Sequence, residues 1–291
     1  MGINLKEICF NITRRCNLHC EYCYVYDYIN QKNSNMMLDL SLEKITTIVR
    51  SSSVETVFLT GGEPFMHPEI RDIIDYFSYL GVKINIATNG LLLDEQMCQF
   101  LSHKNVTLLI SLREKCDEAF RIMNLLDTHK IEVICYHIPR SDSPKLLSKL
   151  LLDCPSVKKI KLLYDSKNPK GSSEWFALLY VIYNSLKTSL DSIDVDVEIS
   201  FLPQTNIVAK DKRRGAFDRI QVSTEGLFYY CPLLVCNTVG SIDLSVPKCN
   251  PQICPVLSKH LDDEKYASIC CFLVSSLEDA IKIGKYGGAI K

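Results

Sequence analysis

No segment of this 291-residue chain is strongly basic. The densest, Lys210 to Arg214, is interrupted by Asp211, and the formal net charge is -1, so the chain offers no cationic track for a nucleic-acid backbone. Long apolar runs are also missing. The run from Phe176 to Tyr183 falls far short of the roughly 20 residues that a membrane helix needs. Residues Met1 to Lys6 lack the apolar core of a secretion signal. The expectation is a cytoplasmic protein without nucleic-acid or membrane partners. Among the histidines, His67, His103, His129 and His137 form no pair with metal-ligand spacing, and no paired carboxylates or His/Asp constellation stands out. Charged acid-base groups are therefore secondary to whatever chemistry the chain performs.

What the chain has in quantity is cysteine. Fourteen cysteines in a reducing compartment are not a disulfide framework, so their clustering points to metal or redox chemistry. Three of them, Cys16, Cys20 and Cys23, lie within eight residues, directly after a strand-like run from Cys9 to Thr13. Thiolates ligate iron-sulfur clusters, one per iron, and a 4Fe-4S cluster takes four, so three would leave one iron open. The alternatives are three unrelated buried cysteines or a structural zinc site, but zinc wants a fourth thiol or imidazole. His19 lies too close between the thiols to complete a tetrahedron.

From residue 8 to about 165, β-rich runs alternate with helical patterns. The strands are expected at Ile8-Thr13, Thr56-Thr60, Val82-Thr88, Val106-Leu112, Glu132-Ile138 and Lys159-Tyr164. Helices are expected at Ser41-Ser51, Pro68-Leu80, Asp94-Leu101, Glu114-His129 and Ser143-Leu152, with Ser41 and Asp94 as N-caps and Pro144 in a first turn. Such alternation implies an α/β fold of right-handed crossovers and a parallel sheet, and six units make a partial (βα)6 TIM-like barrel. Ligands then belong at the C-terminal ends of the strands. Cys9, Cys98, Cys116, Cys135 and Cys154 are scattered over these elements and read as buried small hydrophobes. Residues 166-200 read as a connecting loop and helix, in which Trp175, Phe176, Leu179, Ile182 and Leu186 recur at core spacing.

The cysteine loop, with Tyr22 directly before its third thiol, resembles the radical S-adenosylmethionine (radical SAM) superfamily. One βα unit later stands Gly61-Gly62-Glu63-Pro64, similar to that family's GGEP motif. Paired glycines permit positive φ and close backbone approach to a ligand, and Glu63 offers an acceptor for an ammonium. Ala87-Thr88-Asn89-Gly90 is similar to the family's Thr-Asn-Gly turn, which an ordinary Asn-Gly turn before a helix also explains. The fourth strand ends in Ser111-Leu112-Arg113, where the family places a polar residue on the cofactor. The resemblance thus implies a 4Fe-4S cluster on Cys16, Cys20 and Cys23. It also implies S-adenosyl-L-methionine bound through Tyr22, Gly61, Gly62, Glu63, Pro64, Asn89, Ser111 and Arg113.

Residues 201-291 form the third expected region. Arg219 to Cys231 reads as a hairpin about a Thr-Glu-Gly turn, and Gly226 to Cys231 matches the G-x4-C opening of the family's SPASM/twitch extensions. A cysteine nine to fifteen residues before the glycine and the later C-x2-C-x5-C-x3-C pattern are missing, so a reduced, hairpin-containing iron-sulfur extension is implied. Its auxiliary 4Fe-4S cluster is assigned to Cys231, Cys249, Cys254 and Cys271, with a zinc knuckle as the alternative. Cys236 is left over, and as a hydrogen-atom donor it would serve epimerisation; a packed loop cysteine is the plainer account.

These resemblances imply a peptide maturase that crosslinks or epimerises a ribosomally made precursor peptide. Its electrons would come from a flavodoxin or ferredoxin, and leader recognition would fall to a separate protein or another surface. The alternatives are a small-molecule radical SAM dehydrogenase and a non-catalytic iron-sulfur redox protein.

Overall fold

The structure is a computed structural model that describes residues 6-21, 23, 38-50, 52-112, 116-163, 172-190, 196-199, 219-229 and 275-276. The expected ligands Cys231, Cys249, Cys254 and Cys271, together with Cys236, Tyr22 and Arg113, lie outside the described residues. The chain divides into two compact units that interleave in sequence.

The first unit takes residues 1-93, 103-108 and 215-260. Its sheet is centred on β1 (Glu7–Thr13), which pairs in parallel with β2 (Thr56–Gly61) on one side and with β8 (Arg219–Val222) on the other. Beyond β2 lies β3 (Lys83–Thr88), again parallel, and then the first half of β4 (Val106–Ser111). Both faces of β1 are covered. Ile8, Phe10 and Ile12 are fully buried, and Phe10 stacks 6.0 Å from Phe77 of α2 (Ile70–Tyr79), which fixes that face as the helical one. Cys9, Asn11 and Thr13 alternate onto the other face and are buried too. A strand enclosed on both faces reads as a continuous apolar run, as this one nearly does. Helix α1 (Leu42–Val49) starts where the Ser41 hydroxyl accepts from the Lys44 N–H, and it buries Ile45 and Val49. In α2 the buried residues Ile70, Ile73, Ile74 and Phe77 follow the i, i+3, i+4, i+7 spacing of one helical face.

The expected hairpin is present. β8 turns back into β9 (Phe228–Tyr229), antiparallel, around Gly226 at φ +79°. Its first strand extends the sheet beside β1 rather than opening a separate layer, and Asn11 Nδ2 donates to the Val222 carbonyl at 3.1 Å.

The second unit takes residues 94-102, 109-214 and 261-291. Helix α3 (Glu95–Leu101) is capped by the Asp94 carboxylate, which accepts from the Met97 N–H at 2.7 Å. α4 (Cys116–Thr128) buries Ala119, Ile122, Met123 and Leu126. β5 (Glu132–His137) pairs in parallel with β6 (Val157–Leu162), which begins two residues earlier than the sequence indicates because buried Val157 pairs with Val133. α5 (Ser143–Asp153), with Pro144 in its first turn, packs on α6 (Ser172–Leu190). Trp175, Phe176, Leu179, Ile182 and Leu186 are all core residues, as their spacing indicates. α6 leads into β7 (Asp196–Ile199), parallel to β6, so a seventh strand stands where the sequence reading expected only a connection. β10 (Ser275–Ser276) closes this edge antiparallel to β7.

The fold is of the expected α/β class. Cys9, Cys98, Cys135 and Cys154 are buried, as expected. Among the described residues, no helix is long and apolar enough to cross a membrane.

Candidate functional site

The site is built where β1 ends. Beyond Thr13 the chain leaves the sheet, and the loop that carries Cys16, Cys20 and Cys23 begins. All three cysteines are half-buried and in no disulfide, in contrast to the four buried core cysteines. A turn joins two of them, with the Cys23 N–H donating to the Cys20 carbonyl at 3.1 Å.

The root of the loop is tied down by the segment that returns at residues 38-40. The Arg14 N–H donates to the Leu38 carbonyl at 2.7 Å and the Leu40 N–H to the Ile12 carbonyl at 2.8 Å. Between them sits Asp39. It accepts from the Thr13 hydroxyl at 2.7 Å and from Arg15, whose Nε and Nη2 approach it at 3.0 and 2.9 Å. Burial alone would raise the Asp39 pKa, but the hydrogen bonds from Arg15 and Thr13 and the Arg15 charge outweigh it, so the carboxyl titrates below its ordinary range. His67 braces the same segment. Its Nδ1 accepts from the Glu69 N–H at 3.0 Å, which leaves the proton on Nε2 to be donated to the Leu40 carbonyl at 3.1 Å. Burial pushes its pKa down, against the opposing pull of Asp39, and keeps the ring neutral.

The Gly61-Gly62-Glu63-Pro64 turn docks directly onto this loop. The Gly62 N–H donates to the Thr13 carbonyl at 2.8 Å and the Glu63 N–H to the Arg15 carbonyl at 2.7 Å. Gly61 adopts φ +129°, and a Cβ there would stand 2.2 Å from the Thr13 oxygen. At Gly62 the conflict would be with the Arg15 oxygen at 2.1 Å and with Cys16 Cβ at 3.1 Å. The close backbone approach that requires glycine is thus to the cysteine loop itself. Pro64 opens a short 3-10 turn over Pro64–Met66, and Glu63 caps it by accepting from the Phe65 N–H at 3.2 Å.

Glu63 is 1% exposed. Its Oε1 also accepts from the Thr88 hydroxyl at 2.7 Å, and its Oε2 accepts from the Asn89 N–H at 2.8 Å. The Thr88-Asn89-Gly90 turn therefore converges on the GGEP turn. Ser111 ends β4 in the second unit and is half-buried. Sequence reading did not assign a role to Thr13, Arg15, Asn17 or Asp39. The partner of Asp39 lies 24 residues away, and no local signal announces such a contact.

The chemistry of the donor set can be compared with the group it would hold. Among the described residues, no three Cys, His, Asp or Glu side chains lie close enough together to hold one metal ion. A mononuclear tetrahedral site needs every ligand at about 2.0–2.3 Å from one point. A cluster asks for less convergence, because each thiolate bonds its own iron. Three accessible thiols on one well-anchored loop fit the cluster.

Residues 10–133 match the family Radical SAM superfamily. A tungsten-containing aldehyde ferredoxin oxidoreductase cofactor-modifying protein of Pyrococcus furiosus is 27% identical over 148 residues, 50% of this chain and 38% of that protein. The antilisterial bacteriocin subtilosin biosynthesis protein AlbA of Bacillus subtilis is 28% identical over 106 residues, 35% and 22% of the two chains. A GTP 3',8-cyclase of a Synechocystis species is 29% identical over 112 residues, 38% and 34%. The chain thus spans less than two-fifths of each of these curated relatives. In fold it is similar to Streptococcus suis SuiB bound to the precursor peptide SuiA, with a TM-score of 0.66 and 13% identity over 97% of this chain and 71% of that one. The shared stretch carries the cysteine loop and the two turns that dock on it, and at residues 10–133 the chain contains a domain of the Radical SAM superfamily.

Proposed function

We propose that this protein is a radical S-adenosylmethionine enzyme that matures a ribosomally synthesised peptide. The observation that supports the first half is the docking of Gly61 and Gly62 on the backbone of the Cys16 loop, close to Cys16 itself. Bound there, a 4Fe-4S cluster would supply the electron for radical chemistry on S-adenosylmethionine, and with it the removal of a hydrogen atom from a substrate.

The residues of the chain hold and orient. Cys16, Cys20 and Cys23 would hold the cluster through three thiolates, and the turn that docks on their loop would hold the amino acid end of S-adenosylmethionine. Gly61 to Pro64 bring Glu63 to that end, where a buried carboxylate favours an ammonium far more than water does. Tyr22 and the turn at Asn89 are proposed to add to the cofactor site, and Ser111 and Arg113 are proposed as cofactor residues on their sequence resemblance. Positioning one C–H bond and excluding water then account for selectivity. Cys231, Cys249, Cys254 and Cys271 are proposed to hold an auxiliary cluster.

The peptide substrate is supported by the likeness to AlbA, a bacteriocin biosynthesis protein, and to SuiB bound to its precursor peptide. The relatives also include proteins named for other chemistry, so the substrate is the finer part of the proposal. Anaerobically reconstituted protein with dithionite and S-adenosylmethionine should release 5'-deoxyadenosine, and Glu63→Ala should weaken cofactor binding by at least about tenfold. Fully iron-loaded wild-type protein that releases none would leave a redox-only protein as the better reading.

A further inference from the structure

The loop that carries Cys16 is held on both sides of that residue. On the N-terminal side, the Arg15 carbonyl accepts from the Glu63 N–H at 2.7 Å. On the C-terminal side, Asn17 is held by Asn89 across 72 residues of sequence, with Asn89 Nδ2 donating to Asn17 Oδ1 at 2.8 Å.

The polarity of this amide pair is fixed by the backbone. Asn89 Oδ1 accepts from the Leu91 N–H at 2.9 Å, so only the NH2 end of Asn89 is left to meet Asn17, which must present its oxygen. Asn89 is itself held, since its N–H donates to Glu63 Oε2. The preceding Thr88 hydroxyl donates to Glu63 Oε1 and accepts from the Gly90 N–H at 2.9 Å. The buried Glu63 carboxylate thus organises a turn whose side chain reaches out to the cysteine loop. A solvent-exposed asparagine such as Asn17 has no need of a partner 72 residues away unless its position matters.

Resting on the cluster reading above, we propose that Asn17 and Asn89 are positioning residues that set the placement of the Cys16 thiolate. Glu63 acts in the same chain of hydrogen bonds. The part this gives the Asn89 side chain is to hold the ligand loop, and any contact with S-adenosylmethionine is left to other groups of the turn.

The test uses full-length protein reconstituted with iron and sulfide. Wild type, Asn17→Ala, Asn89→Ala, the double variant and Asn17→Asp are compared by the rate of cluster bleaching in a chelator and by the electron paramagnetic resonance of the reduced cluster. Each alanine variant should lose its cluster about fivefold faster, the loss of one net hydrogen bond. The double variant should lose it no faster than the singles, because both remove the same interaction. Asn17→Asp should behave as wild type, since a carboxylate accepts from Asn89 as the amide oxygen does. The alanine variants should also show an altered resonance line shape at unchanged thermal stability. Single variants that bleach at the wild-type rate, singles whose effects multiply in the double variant, or an Asn17→Asp that bleaches as fast as Asn17→Ala would each overturn the proposal. A wild-type protein that takes up no cluster would remove the underlying cluster reading, a failure separable from the others by its iron content.

Discussion

Gly62 lies so close to Arg15 that a Cβ at position 62 would stand 2.1 Å from the Arg15 carbonyl oxygen. Backbone atoms cannot yield as a flexible side chain would, so either the GGEP turn or the cysteine loop must move, at a cost of about 1–3 kcal/mol. Gly62→Ala should therefore reduce iron uptake at the Cys16 loop severalfold after anaerobic reconstitution. Gly81→Ala is the control. Gly81 has positive φ, at +69°, but nothing lies within 4 Å of the added carbon, so this change should lower stability by about 1 kcal/mol and leave iron uptake intact. Equal iron loading in wild type and Gly62→Ala would show that the contact does not matter.

Thiol reactivity should separate the cysteines into two groups. Burial pushes the Cys98 thiol up to about 11 and the Cys154 thiol up to about 12, and raises Cys135 further still. Cys16, Cys20 and Cys23 are half-exposed. In folded metal-free protein, iodoacetamide should label these three well before Cys98, Cys135 and Cys154, with the order read by peptide mapping. In denaturant the difference should vanish. Early labelling of Cys135 in the folded protein would contradict its place in the core.

The buried His137 gives a pH dependence with a definite sign. It sits at the end of β5, its Nε2 2.6 Å from the Ser143 hydroxyl, and burial lowers its pKa to about 4, only partly offset by the nearby Leu112 carbonyl and Asp142. In the unfolded chain this imidazole titrates near 6.5, so as pH falls below that value the unfolded state takes up a proton that the folded state refuses. Stability should drop between pH 6.5 and 4 by on the order of 3 kcal/mol from this group. His137→Gln should flatten that part of a Tm-against-pH curve. A variant that keeps the full wild-type slope would assign it to other groups.

Iron counting addresses the auxiliary cluster. Intact protein should hold about eight irons, and replacing Cys16, Cys20 and Cys23 together by Ala should remove about four. About four irons with zinc as the balance would rule the second cluster out. The proposed role of Cys236 is tested on the true substrate in heavy water. Epimerisation requires one solvent deuterium in the product and loss of inverted product in Cys236→Ala at unchanged iron content. Unaltered turnover in that variant would point to crosslinking or dehydrogenation.

Much of the fold was legible because its signals are local. Ser41 and Asp94 cap helices as their residue types indicate, and Ile70, Ile73, Ile74 and Phe77 announce one buried face by spacing alone. The Thr-Glu-Gly hairpin was legible in the same way. β7 was missed because the acidic character of residues 191-198 masked an alternation in which Val195, Val197 and Ile199 take every second place. Pairing with β6 decides the matter there, and buried Val197 marks the covered face.

By itself the sequence determined the thiol cluster and its spacing. Three closely spaced thiols can be recognised without knowing where anything else lies, because ligand type and spacing are local properties. The reason for the paired glycines was decided only by tertiary structure. Their neighbours are the carbonyls of Thr13 and Arg15, some 47 residues earlier, and sequence gave no means of knowing what would crowd them. The same holds for Asn17, which acquires a partner only when the parallel pairing of β1, β2 and β3 brings the ends of three strands together. Parallel sheets align strand ends that are far apart in the chain, so contacts at those ends are written in the topology and not in any one segment.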